Sequence, residues 1–115
     1  MNEGIKTIVV PVTDIAKAKE VYSALLGIEP FADEPYYVGF RLGGVELGLD
    51  PNGHAQGMTG PIAYSSVDDI EGTIQSLLDV GAVAHQDARD VGGGLLRAQV
   101  VDPDGNVIGL VQPPK

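Results

Sequence analysis

The chain has no cysteine, so any chemistry it performs rests on carboxylates, two histidines, three arginines and hydroxyl groups. Glu46 is the foremost candidate: in Val45-Glu46-Leu47 it alternates with apolar neighbours on a strand, where a carboxylate serves as a general base or as the partner of an amine. His85 and Asp87 share a strand face by their spacing, but no third ligand stands near them in sequence. His54 follows the turn Asp50-Pro51-Asn52-Gly53, where a solvated side chain is expected. Asp102-x-Asp104-x-Asn106 begins like a calcium loop, yet Val107 replaces the glycine at its sixth position and Pro113 the glutamate at its twelfth. It reads as a type I turn. Gly92-Gly93-Gly94 precedes no Lys-Ser/Thr and opens no helix, which makes it a flexible hairpin rather than a phosphate loop. Ser65 and Ser66 lack a Gly-x-Ser-x-Gly setting, which argues against a serine nucleophile.

The elements that must position these residues repeat. Val12-Thr13-Asp14-Ile15 and Val67-Asp68-Asp69-Ile70 recur at the same place in two halves, each opening a helical pattern that ends in Leu-Leu and then glycine. In the first half Ile15, Ala18, Val21, Tyr22, Leu25 and Leu26 have helical spacing, with Asp14 as N-cap and Gly27 as the left-handed stop. In the second, Ile70, Ile74, Leu77 and Leu78 do the same; Asp68 and Glu71 suggest a capping box, Gly81 closes the helix, and Gly72 weakens its first turn. A strand precedes each helix, over residues 5–12 and 61–67. Three follow each: 28–32, 36–42 and 45–49, then 82–85, 95–101 and 107–112. The expected fold is therefore α+β, two βαβββ units forming cupped mixed sheets, with residues 1–50 and 61–115 as the units and 51–60 as a Gly-rich linker.

This pattern resembles the vicinal oxygen chelate superfamily, which includes glyoxalase I, extradiol dioxygenases, fosfomycin-resistance enzymes and bleomycin-resistance proteins. The resemblance rests on Val12-x-Asp14-Ile15-x-Lys17-Ala18, Val21-Tyr22, Leu25-Leu26-Gly27, Val67-Asp68-Asp69-Ile70, Gly81-Ala82 and the ending from Asp102-Pro103-Asp104-Gly105 through Gln112. It implies metal ligands on the first and last strand of each unit, at positions that fall here on Thr7, Glu46, Ile62 (or Pro61) and Gly109. Only Glu46 is a good donor, so no resident metal or other cofactor is expected.

Concave-face candidates for binding are Thr7, Tyr36, Phe40, Arg41, Glu46, Tyr64 and Arg97, with Tyr36 and its neighbour Tyr37 as an aromatic wall from which one of the pair must point away, and the arginines as carboxylate holders or as counter-charges to Glu46. The reading that follows is a protein that binds a small organic molecule, in the manner of the bleomycin-resistance proteins and as a homodimer. The alternative is a glyoxalase-like lyase or isomerase with Glu46 as catalytic base, with or without a divalent ion.

Composition narrows the partners. Seven Lys+Arg against sixteen Asp+Glu leave a net charge of −9, and the basic residues are scattered, which disfavours nucleic acid and anionic membranes. The N-terminal residues lack a basic segment followed by an apolar one, and the expected location is the cytoplasm.

Overall fold

Asp14 and Asp69 start the two helices. The Asp14 carboxylate accepts from the Lys17 backbone N–H at the head of α1 (Ile15–Leu26), and Gly27 stops that helix at φ 70°. At α2 (Ile70–Asp79) the cap is Asp69, one residue later than the expected Asp68, and its carboxylate accepts from the Gly72 N–H. A Cβ at position 72 would collide with that carboxylate, so Gly72, a weakness by propensity, is what lets the cap come close.

The computed structural model describes residues 2–114, with eight strands and two α-helices among them. None of these helices is long and apolar enough to cross a membrane. The strands are β1 (Asn2–Pro11), β2 (Ala32–Glu34), β3 (Tyr37–Leu42), β4 (Val45–Asp50), β5 (Ile62–Val67), β6 (Val83–Asp90), β7 (Leu96–Val101) and β8 (Val107–Gln112). The chain divides into two compact units, Lys6–Ile62 and residues 63–114 with residues 2–5. The fold is α+β, built from two βαβββ repeats, as expected. Ile28 to Phe31 are not strand; the short β2 begins only at Ala32. The segment from Pro51 to Gly60 holds a 3-10 turn at His54–Gln56 and a buried Met58, while most of its other residues are exposed.

In the first unit the strand order is β2-β3-β4-β1, with β1 parallel to β4 and the other pairs antiparallel. Strand alternation sends Val38, Phe40 and Leu49 to the helix side, where they pack with Ile15, Ala18, Tyr22 and Leu26. Tyr37, Gly39 and Arg41 of β3, with Glu46 and Gly48 of β4, therefore belong to the opposite, helix-free face.

The second unit repeats the plan in the order β5-β8-β7-β6, with β5 parallel to β8. Val67, Ile70, Ala98 and Leu110 form its helix-side core, joined by Ile74, Leu77, Ala88 and Leu96. Tyr64, Arg97, Gln99 and Gly109 are the alternate positions and lie on the helix-free face.

Candidate functional site

In the first unit, Glu46 stands between a phenol and a guanidinium. The Tyr37 hydroxyl donates to its Oε2 at 2.5 Å, and Arg41 Nε lies 3.8 Å from its Oε1. Arg41 is the cross-strand partner of Glu46 on β3, and Thr7 is its partner on β1. The Arg41 guanidinium also lies over the Phe31 ring, 3.9 Å from its centre. The Glu46 side chain keeps 27% of its surface exposed, so it remains within reach of a ligand. It is not a lone carboxylate in an apolar surround: one oxygen holds a hydroxyl and the other faces a cation.

Glycines make this arrangement possible. A Cβ on Gly48 would run into the Tyr37 ring, and one on Gly39 would come within 2.9 Å of Phe31 and 3.0 Å of Tyr37. Both rings can therefore lie flat on the strands beside Glu46. Of the two rings, Tyr37 belongs to the Tyr36-Tyr37 pair expected to hold an aromatic wall, whereas Phe31 was not foreseen as a site residue. Strand-interior glycines two positions from Arg41 and from Glu46 were the available signal of close approach.

In the first unit two expected binding residues need correction. Phe40 is fully buried, because its parity on β3 turns it into the helix-side core, and it cannot face a ligand. Tyr36 lies in the turn before β3 with 65% of its surface exposed; Tyr37, first residue of the strand, is the member of the pair directed at Glu46.

The second unit carries a different group. Tyr64 is on the helix-free face but fully covered. Its hydroxyl is hydrogen-bonded by Arg97 Nη2 and by Gln99 Nε2, both at 2.8 Å, and the Arg97 guanidinium lies 4.6 Å above its ring. Tyr64 thus offers a ligand no surface of its own and serves to hold Arg97. Its ring occupies the space into which a side chain at position 109 would project.

The four positions where the resemblance places metal ligands fit a divalent ion poorly. Thr7 and Glu46 face each other across β1 and β4, Ile62 is buried and apolar, and the place of a ligand at Gly109 is filled by an aromatic ring. Among the described residues no three His, Asp or Glu side chains come together to hold an ion. His54 Nδ1 instead lies 3.2 Å from the Met58 carbonyl oxygen, and His85 is exposed on β6.

A duplicated βαβββ unit with aromatic-lined, helix-free faces defines the class of protein. The family model of the Glyoxalase/Bleomycin resistance protein/Dioxygenase superfamily matches residues 4–110, and the chain belongs to that superfamily. A hypothetical protein of Bacillus halodurans C-125 has a similar structure, with TM-score 0.78, 16% identity, and coverage of 99% of this chain and 96% of that one. A glyoxalase/bleomycin resistance protein/dioxygenase superfamily member from Vibrio splendidus 12B01 gives TM-score 0.71 at 19% identity, covering 98% and 100%. A methylmalonyl-CoA epimerase from Streptomyces coelicolor, in complex with 2-nitronate-propionyl-CoA, gives TM-score 0.75 at 16% identity and covers all of both chains. At these identities the likeness is one of fold. No curated protein matches the chain.

Proposed function

We propose that this superfamily member binds a small organic molecule without a metal ion, on the helix-free face of its first unit. The observation that carries the reading is Glu46: a part-exposed carboxylate, oriented by the Tyr37 hydroxyl, beside two aromatic rings. Phe31 remains 46% exposed, so flat apolar surface is available next to a hydrogen-bond acceptor. That combination suits a planar compound bearing an amine or another donor, as in resistance proteins that capture an antibiotic. Calorimetric titration with cationic aromatic and peptide-like compounds tests it. One or more should bind the native chain and lose about tenfold in affinity in Glu46→Gln, the worth of a hydrogen bond to a charged group. Failure of the whole panel, or equal binding by the variant, refutes the reading.

The Tyr37–Glu46 hydrogen bond favours one alternative, a lyase or isomerase in which Glu46 removes a proton and Tyr37 holds the carboxylate. Solvent-deuterium exchange into carbonyl compounds, present in the native chain and absent in Glu46→Gln, would put this alternative first. Light scattering of the purified chain tests the homodimer that the superfamily resemblance suggests.

A further inference from the structure

Arg89 and Arg97 are Cα partners across the antiparallel β6–β7 pair. Directly opposed residues point to one face, and two like charges there repel unless something anionic lies between them. The parity of both strands supports the placement. Ala88 and Leu96 pack in the helix-side core, which leaves Arg89 and Arg97 on the helix-free face. A bulge sets this up. Gln86 faces Gln99, and regular pairing from there would bring Ala88 opposite Arg97; the register shift between Gln86 and Arg89 brings the arginine there instead.

Neither guanidinium has a carboxylate partner among the described residues. Among the described residues the ion pairs are Lys19–Asp33 and Arg41–Glu46, apart from further interactions of Glu3, Lys6, Tyr37 and Asp68. The adjacent acid, Asp90, is engaged elsewhere, accepting the Gly92 N–H of the hairpin at 2.7 Å. In a chain with sixteen acidic residues and three arginines, two of the arginines thus stand at opposed strand positions, neither paired with an acid among the described residues. Arg97 is also held in place, with Nη2 on the Tyr64 hydroxyl and its plane over the Tyr64 ring. A guanidinium has five N–H donors, and those not directed at Tyr64 are free to grip an oxyanion.

We propose that Arg89 and Arg97 form a binding site for an oxyanion, the carboxylate or phosphate group of a small molecule. The ligand is small because a chain of net charge −9 repels extended polyanions. Arg97 is the half of the clamp held by Tyr64; Arg89, on the edge strand, is the exposed half. The site lies in the second unit and does not depend on the reading of Glu46.

Titration of the full chain with inorganic phosphate and, separately, malonate, at ionic strength held constant with sodium chloride, tests the site through the arginine Nε–Hε NMR signals. The Arg89 and Arg97 signals should move saturably while that of Arg41 stays. Response to phosphate alone assigns a phosphate ligand, and response to malonate alone a carboxylate. Arg89→Gln and Arg97→Gln should each weaken binding about tenfold. Arg89→Gln, a change at an exposed residue, keeps the test valid if Arg97→Gln fails to fold. Without added anion and at low salt, Arg89→Gln should also melt above the native chain, since it removes the repulsion, and phosphate should close that gap. Unsaturable shifts common to all three arginines, no shifts at all, or unchanged binding by Arg89→Gln would overturn the proposal.

Discussion

The two units place an aromatic ring over the same glycine by different means. Gly48 pairs with Val9, three residues before Val12, and Gly109 pairs with Tyr64, three residues before Val67, so the glycines are equivalent in the repeat. In the first unit the covering ring is Tyr37, from the far side of β4, and its hydroxyl goes to a part-exposed carboxylate. In the second it is Tyr64, from β5 itself, fully buried and tied to Arg97 and Gln99. One scaffold thus presents a carboxylate on one face and guanidinium groups on the other. The duplicated fold sets where side chains emerge, and a few substitutions decide the sign of the charge they carry.

Replacing each glycine by alanine separates the two arrangements most strongly. At Gly109 the new methyl meets a buried ring that two hydrogen bonds hold still, and the expected loss is about 3 kcal/mol, the upper range for overpacking a core. At Gly48 the obstacle is the half-exposed Tyr37, which can swing outward, and the loss should be nearer 1 kcal/mol. Urea unfolding of both variants reads the difference. Equal losses would mean that the two rings are equally confined.

Removing only the hydroxyls is the milder form of the same test. Tyr64→Phe leaves the Gln99 amide, 5% exposed, without its acceptor and should cost about 2 kcal/mol. Tyr37→Phe should cost about 0.5 kcal/mol, because water can reach the exposed part of Glu46 and take the phenol's place. The second variant should nonetheless weaken ligand binding at Glu46 in the calorimetric titration, while Tyr64→Phe should leave that binding unchanged.

The shared frame of the two units was legible in the residues, their difference much less so. The paired Val-x-Asp-Ile motifs, the Leu-Leu-Gly endings and the β-branched runs carry backbone preference and periodicity, so the order of elements followed from them. Parity was harder. Phe40 and Tyr37 are three residues apart on one strand and face opposite ways, and assigning either requires knowing which alternate set meets the helix. Asp68 and Asp69 are equally good caps by type; the cap that forms is Asp69, for whose carboxylate the missing Cβ of Gly72 leaves room. The Arg89–Arg97 pair depends on a bulge, and a one-residue irregularity leaves almost no trace in an exposed, polar edge strand.

The turns before the closing strands give the smallest contrast, and one that pH can read. In the first unit Gly43 and Gly44, at φ 61° and 79°, join β3 to β4 with no titratable group. In the second, Asp102 organises the turn: its carboxylate accepts from the Asn106 backbone N–H at 2.8 Å, the Asn106 side chain at 3.1 Å and the Asp104 N–H at 2.9 Å. These hydrogen bonds, led by that from the Asn106 backbone, hold its pKa below the ordinary 3.8. A carboxyl with a lowered folded-state pKa binds its proton more readily in the unfolded chain. Its stabilising effect is therefore complete well above pH 3.8 and fades as pH falls through that value and on through the lower folded one. Asp102→Ala should melt below the native chain at pH 7, and the two melting curves should converge as the pH is lowered toward 3. A gap that persists unchanged at pH 3 would assign the loss to packing of the turn rather than to its charge.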